Sequence, residues 1–307
     1  MAGVVLKLLN TLLQNGLLTL PAGLLMAALW WYWNNGSASK AQKELRLAAQ
    51  QFRKLSAAMT KNVIEYGGVG DSEEPTHHDL VPPAVPADID HILLQHNRRT
   101  LEDSFTRSVN FYELMNQRRS VRFFSKEPVS EKVIENLIRT AGTAPSGAHT
   151  EPWQFVAVRD PDYKQKIREI VESEEEINYM KRMGSQWTND LRALRTTHIK
   201  EYLTDAPWLV LVFKQVYTPL PDGRKRNNYY HEISTALSGG ILLAAIQNAG
   251  LVTLTSTPMN CGPALKSLLG RPAHEKLLLL LPVGLPSATC TVPNIHRKKL
   301  NEILTVF

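Results

Sequence analysis

The sequence predicts an α+β domain whose sheet is covered on both faces, preceded by one N-terminal membrane-spanning helix. Three patterns predict it. Residues 209–213 and the leucine run within residues 276–283 are unbroken apolar stretches, as expected of strands buried on both faces. Residues 233–249 form a long apolar stretch closed by Gly250, a helix followed by its stop signal. Residues 17–33 read LLTLPAGLLMAALWWYW, without a charge.

Extended back to Leu12, that last run reaches roughly the 20 residues that cross a bilayer. Pro21 is tolerable in a membrane helix, and Trp30, Trp31, Tyr32 and Trp33 suit an interface. A cleaved signal peptide is the alternative, with small residues at Ser37, Ala38 and Ser39 and a glycosylation sequon at Asn35. Lys7 as the sole basic residue before the run, and the tryptophans at its end, favour the anchor. Lys40, Lys43, Arg46, Arg53 and Lys54 follow the span, so the positive-inside rule places the main body in the cytosol after a single pass.

Residues 1–34 are thus read as the anchor and residues 35–87 as a stalk and linker. Residues 41–66 have helical composition, and 67–87 run from GGVG through acidic residues to VPPAVP. His77 and His78 in that proline-rich stretch read as solvated rather than metal-bound. Residues 88–307 carry an ordinary globular pattern and form the catalytic domain. Within it, Ser130 can cap a helix over residues 130–141, whose Val133, Ile134, Leu137 and Ile138 share one face. Residues 153–158 alternate as a strand, and 251–256 read as another.

A chain of 307 residues has one or two domains and ample length for a core. Hydrophobic content of 43% and charged content of 21% are ordinary for a globular protein. The net charge of +6 suits an anionic cofactor or a membrane surface and does not argue for nucleic acid. No zinc-ligand spacing and no internal repeat occur. A GxGxxG after a strand and a GxxxxGK are both missing, which argues against a nicotinamide-binding Rossmann domain and a P-loop. The two cysteines, Cys261 and Cys290, suit a reducing compartment. Cys261 reads as a packed small residue, with a reactive thiol as the alternative.

Three segments carry candidate chemistry. Arg118, Arg119 and Arg122 crowd the motif RRSVRFF, and fork-shaped guanidinium donors match a phosphate monoester. A solvated basic helix end is the alternative. Ala144-Pro145-Ser146-Gly147-Ala148-His149 precedes Glu151-Pro152-Trp153, and its small residues let backbone N–H groups approach a flat ligand. Glu175 and Tyr179, four apart, share a helix face, and Lys200 follows in IKEYL. Glu175 can pair with the ammonium of a free amino acid, Lys200 with its carboxylate, and Tyr179 can cover its ring. A salt-bridged surface helix explains the same spacing.

RRSVRxF, the PSG loop and the PW strand together resemble the nitroreductase superfamily of FMN enzymes, over residues 105–307. The resemblance implies a mixed sheet flanked by helices, a homodimer with exchanged terminal arms, and FMN at the subunit interface. EEEINYMKRMG, IKEYL, NAGLVTLTSTPMNCGPAL and LLGRPAHEKLL resemble, more narrowly, the iodotyrosine deiodinases. Carried over by position, the phosphate and flavin ligands are Arg118, Arg119, Ser120, Val121 and Arg122, with Ser146. Thr255, Ser256 and Thr257 line the isoalloxazine, and Arg297 completes the phosphate site. The substrate residues are Ala148, through its N–H, with Glu175, Tyr179 and Lys200. One departure is visible: Thr255-Ser256-Thr257-Pro258-Met259 stands where the family shows a threonine run and then proline-leucine. Met for Leu conserves volume.

The implied reaction removes iodide reductively from mono- and diiodotyrosine, salvaging iodide for thyroid hormone synthesis. The Ala148 N–H stabilises the substrate phenolate as an oxyanion hole does. Thr257 donates to flavin N5 and favours single-electron steps. Electrons come from NADPH through a separate, unidentified reductase. The main alternative is a generic nitro- or quinone reductase of the same fold, which has no reason to keep Glu175, Tyr179 and Lys200 together. A flavin-degrading relative and a membrane-anchored interaction protein with a dead flavin fold are the remaining readings.

Overall fold

The computed structural model describes residues 81–307. The predicted anchor, the stalk, His77 and His78 lie outside the described residues. Residues 81–100 form no helix or strand. The first element is α1 (Leu101–Asn116), capped by Thr100, whose hydroxyl accepts the Asp103 N–H. Next comes α2 (Glu131–Ala141), beginning after Ser130 as predicted. The Ser130 carbonyl, not its hydroxyl, receives the Val133 N–H at 3.0 Å. A 3-10 turn (Gly147–His149) leads into β1 (Trp153–Val158). Asp160 caps α3 (Pro161–Ile177) by accepting from the N–H groups of Asp162 and Tyr163. The helix then widens into a π turn (Asn178–Arg182), followed by α4 (Ser185–Arg192) and the short α5 (Tyr202–Asp205). The rest runs β2 (Trp208–Gln215), a hairpin of β3 (Tyr217–Pro219) and β4 (Lys225–Asn227), α6 (His231–Asn248), β5 (Val252–Thr253), α7 (Gly262–Leu268) and β6 (Glu275–Gly284).

The main sheet has the order β1-β2-β6-β5, and all its ladders are antiparallel. It becomes mixed through one parallel bridge, Ser120 to Thr253, where the Val121 N–H donates to the Thr253 carbonyl at 3.1 Å. The two apolar runs are its central strands, β2 and β6. Their period-two alternation builds a core on each face. Leu209, Leu211, Phe213 and Leu280 meet Ile167 and Val171 of α3, Leu203 of α5 and Leu265 of α7. Trp208, Val210, Val212, Leu281 and Val283 meet Ile134 and Leu137 of α2 and Leu242 and Ile246 of α6. Each fully buried leucine contributes about 1.5–3 kcal/mol relative to exposure.

β5 is shorter than the strand predicted over residues 251–256. Its pairing with β6 lapses at Leu254 and Thr255 and resumes as a single bridge, Ser256 to Leu280. Hydroxyl side chains supply local partners here: the Thr253 hydroxyl donates to the Leu254 carbonyl at 3.3 Å, in competition with the ladder.

Much apolar surface stays exposed. Helix α1 buries none of its residues. Leu101, Phe105, Phe111 and Tyr112 on it are exposed, as are Ile233 and Leu237 on α6 and Val306 and Phe307 at the C-terminus. Among the described residues no helix is long and apolar enough to cross a membrane.

Candidate active site

The arginine motif crosses the end of the sheet. Val121 and Phe124 are buried beneath it, while Ser120, Val121 and Phe124 bridge or bond to the strand ends. This anchoring fixes Arg118, Arg119 and Arg122 in place. Arg297 arrives from the C-terminal segment, donating to the carbonyls of Asn116 at 3.0 Å and Arg118 at 2.8 Å. Arg119 donates to the Pro293 carbonyl. Burial lowers the Arg118 guanidinium pKa below its ordinary value, and Arg297 and Arg119 beside it push the same way. Among the described residues none of Arg118, Arg119, Arg122 and Arg297 forms an ion pair with a carboxylate. Crowded cations held by backbone carbonyls rather than acids fit a phosphate dianion, the anchor that FMN would offer.

The small-residue loop is strained and heavily tied down. Ala148 sits at φ 50° and ψ 27°, and His149 and Glu151 also take positive φ, at 53° and 43°. Each such residue stores about 1–3 kcal/mol. Ser146 holds the loop through both ends: its carbonyl accepts the His149 N–H at 3.2 Å and its hydroxyl accepts the Glu151 N–H at 3.0 Å. The Gly147 N–H donates to the Ser234 hydroxyl of α6 at 3.3 Å. A Cβ at Gly147 would meet the Tyr229 carbonyl at 3.0 Å and the Tyr230 ring at 3.1 Å, so glycine gives this approach its room. Through all of this, the Ala148 N–H finds no protein acceptor among the described residues. A strained loop that presents one free N–H suits the recognition of an oxyanion.

The third group closes on itself. Glu175, near the end of α3, pairs with Lys200 at 3.3 Å, with side chains 12% and 8% exposed. Lys200 also donates to the Thr197 carbonyl at 2.6 Å and lies 5.5 Å from the centre of the Tyr179 ring. Tyr179 falls in the π turn rather than in the predicted regular helix, yet it still reaches Lys200. Its hydroxyl donates to the Thr196 carbonyl at 3.3 Å, and its ring meets Trp187 of α4 edge-on at 4.8 Å. Burial lowers the pKa of the Lys200 ammonium, against the pull of Glu175 upward, and burial raises that of the Tyr179 phenol. Arg122 lies close enough for its charge to act on both, which joins the arginine motif to this cluster.

Thr255 and Thr257 are exposed beside β6. Ser256 between them is half-buried, and burial pushes the nearby Tyr202 phenol up to about 12, with Ser256 acting against that rise. Sequence reasoning missed three residues here. Asn178, 1% exposed, donates to Glu175 at 3.2 Å. Tyr202, 7% exposed, packs from α5 into the core that also holds Leu254. Glu172 accepts the Lys200 backbone N–H at 2.6 Å. A signal for Glu172 existed, since it stands three before Glu175 on one helix face.

The groups are divided by the sheet. Glu175 and Lys200 belong to α3 and the approach to α5, on the face that carries Leu209 and Leu211. The Ser146–Ala148 loop is tied to α6, on the face that carries Val210 and Val212. The hydroxyls of Thr235 and Ser238, both on α6, hold its flanks through the carbonyls of Pro152 and Ala141.

The family model described as Nitroreductase family matches residues 115–285. The chain is 62% identical to iodotyrosine deiodinase 1 of Homo sapiens over 216 residues, 70% of this chain and 75% of that protein. It is 51% identical to iodotyrosine deiodinase of Daphnia pulex over 271 residues, 87% of this chain and 86% of that protein. It is also similar to the crystal structure of oxidized iodotyrosine deiodinase bound to FMN and 3-iodo-L-tyrosine. That match has a TM-score of 0.54 and 30% identity, and covers 62% of this chain and 96% of that one.

Proposed function

The chain belongs to the nitroreductase family and, within it, to the iodotyrosine deiodinases, and from that premise we propose how its residues release iodide from mono- and diiodotyrosine. It is an FMN-dependent oxidoreductase, and the bound FMN supplies the electrons. The observation that carries the substrate reading is the buried acid–base pair of Glu175 and Lys200 with Tyr179 against it. A free amino acid presents one charge to each partner: its ammonium to Glu175, its carboxylate to Lys200. Tyr179 and the segment it anchors through Thr196 then cover the ring and exclude water.

Arg118, Arg119 and Arg297 hold the phosphate of the cofactor. The Ala148 N–H receives the substrate phenolate and stabilises its charge. Protonation of the phenolate at the iodinated carbon would convert the ring into a ketone, and uptake of two electrons would expel iodide and restore the aromatic ring as a phenolate, which a second proton neutralises. Thr257 is the hydroxyl assigned to the flavin, where a donor favours single-electron steps over hydride transfer. No protein nucleophile takes part. The electrons enter from NADPH through a separate reductase.

Two chains build each site in this reading. The Glu175–Lys200 pair sits on one face of the sheet and the Ala148 loop on the other, so a ligand touching both draws on two copies. The exposed apolar rows of α1 and α6 support this pairing, because surface of that kind is expected at an obligate interface. The N-terminal anchor rests on the uncharged run over residues 17–33 and the basic residues after it.

The test compares iodide release from diiodotyrosine with reduction of a nitroaromatic by the flavin-loaded protein. Preference for the iodinated amino acid supports the reading. Efficient nitro reduction without iodide release would replace it with that of a generic reductase. Sedimentation of the catalytic chain as a monomer would refute the shared site.

A further inference from the structure

We propose that Glu172 is a positioning residue that fixes Lys200 relative to Glu175, so that the spacing of the amino-acid clamp is set on α3 and not by the segment that joins the two. The proposal rests on the clamp described above. Residues 176–199 separate the two charged residues in sequence and contain the π turn and α4. A charge pair joined only through that excursion would change its spacing whenever the excursion moved. Glu172 provides a shorter link. Its carboxylate oxygen accepts the Lys200 backbone N–H at 2.6 Å, across an interval of 28 residues. The same oxygen receives the Arg168 guanidinium at 2.7 Å. Arg168 in turn donates to the Thr204 hydroxyl at 2.9 Å, in α5.

α3 therefore grips both the entrance and the far end of α5 through one acid–base couple. Glu172 stands three residues before Glu175 on the same helix, so both partners of the clamp refer to one rigid element. Arg168 and Glu172 are only 23% and 20% exposed, which shields their bonds from competition with water. A carboxylate that accepts from a backbone amide and a guanidinium at once is oriented by both, and charge-assisted bonds of this kind are the strong ones. Lys200 Nζ meets Glu175 at 3.3 Å while its own backbone is held at 2.6 Å. The covering segment can then open and close around a head-group site of constant geometry.

The test uses flavin-loaded Glu172→Met, Glu172→Gln and Arg168→Met. The substrates are iodotyrosine and 2-iodophenol, which lacks the amino-acid head. Glu172→Met keeps the side-chain length and removes the acceptor. It is expected to raise the KM for iodotyrosine about tenfold, with kcat within about twofold, and to leave the KM for 2-iodophenol unchanged. Glu172→Gln keeps an acceptor for the Lys200 N–H and is expected to restore most of the lost affinity. Arg168→Met frees the carboxylate without removing it and gives a smaller rise, about threefold, confined to iodotyrosine. It carries the test alone if Glu172→Met does not fold. Equal loss on both substrates, or no loss on either, overturns the proposal. A parent enzyme that does not distinguish the two substrates would instead overturn the zwitterion clamp itself.

Discussion

Replacing Lys200 by methionine removes one charge from the clamp while keeping the side-chain stem in place. In the folded chain Lys200 Nζ faces Glu175 at 3.3 Å, with both groups almost fully covered. At that separation and an effective dielectric of about 20, their gross attraction is about 5 kcal/mol. Loss of one partner of such a pair costs roughly 3–5 kcal/mol when the other stays buried. For the bound substrate the relevant loss is a buried, hydrogen-bonded charge contact to its carboxylate, about 2–5 kcal/mol. Taking the lower figure and about 1.4 kcal/mol per tenfold, the KM for iodotyrosine rises at least about 30-fold. The chemistry at the ring is remote from the head group, so turnover at saturation falls far less. Initial rates of iodide release against iodotyrosine concentration measure this directly. A KM within threefold of the parent value would refute the assignment of Lys200 to the substrate carboxylate.

Three further outcomes follow from the same geometry. Arg271→Ala strands Glu275, which is 1% exposed and takes the guanidinium at 2.7 and 2.8 Å, so the loss is about 3 kcal/mol and about 6–12 °C in melting temperature. Burial pushes the Glu275 carboxyl pKa up, but Arg271 and Gln215 more than offset that and hold it below the ordinary value. The stabilisation is therefore present above the ordinary carboxylate pKa and fades as pH falls through the lowered one, so parent and variant melting curves should converge in acid. Cys261→Ala retains most turnover, because the thiol is buried and pushed up to about 12 by burial, then by Glu175 and Glu174; complete loss of activity would contradict this. Thr257→Ala shifts the enzyme toward two-electron chemistry, seen as a gain in nitroaromatic reduction relative to iodide release. An unchanged ratio would remove Thr257 from its assigned role.

The sequence made the sheet readable because β2 and β6 are buried on both faces, which leaves a continuous apolar run that no surface element imitates. α2 was legible for the complementary reason: it presents one buried side, with Ile134 and Leu137 one helical turn apart. β1 is covered on both faces, Phe155 packing against one core and Val156 and Val158 against the other. The strand at residues 251–256 was less legible, since a threonine-rich segment can satisfy its own backbone and need not complete a ladder. The arginine motif announced an anion, but only the fold shows that Arg119, and Arg297 beside it, lean on carbonyls and leave acids aside. Glu175, Tyr179 and Lys200 were recognisable as a set by resemblance. Their supports were not, because Glu172 and Asn178 act through one backbone amide and one carboxylate, and neither bond leaves a periodicity. The π turn was also unforeseen; it depends on how helix and loop share one extra residue, which a helical spacing rule does not encode.

The self-closed pair of Glu175 and Lys200 has a consequence for which molecules the enzyme ignores. In the folded chain the acid and the base neutralise each other at 3.3 Å. An arriving amine alone would part them and leave the lysine bereft; a lone carboxylic acid would do the same to the glutamate. Only a compound bearing both signs on one carbon replaces everything it interrupts. An iodinated tyrosine still embedded in a polypeptide has neither terminus to offer. On the proposed clamp, iodoproteins would pass unrecognised until proteolysis cuts the residue free, which would place the reaction downstream of that degradation.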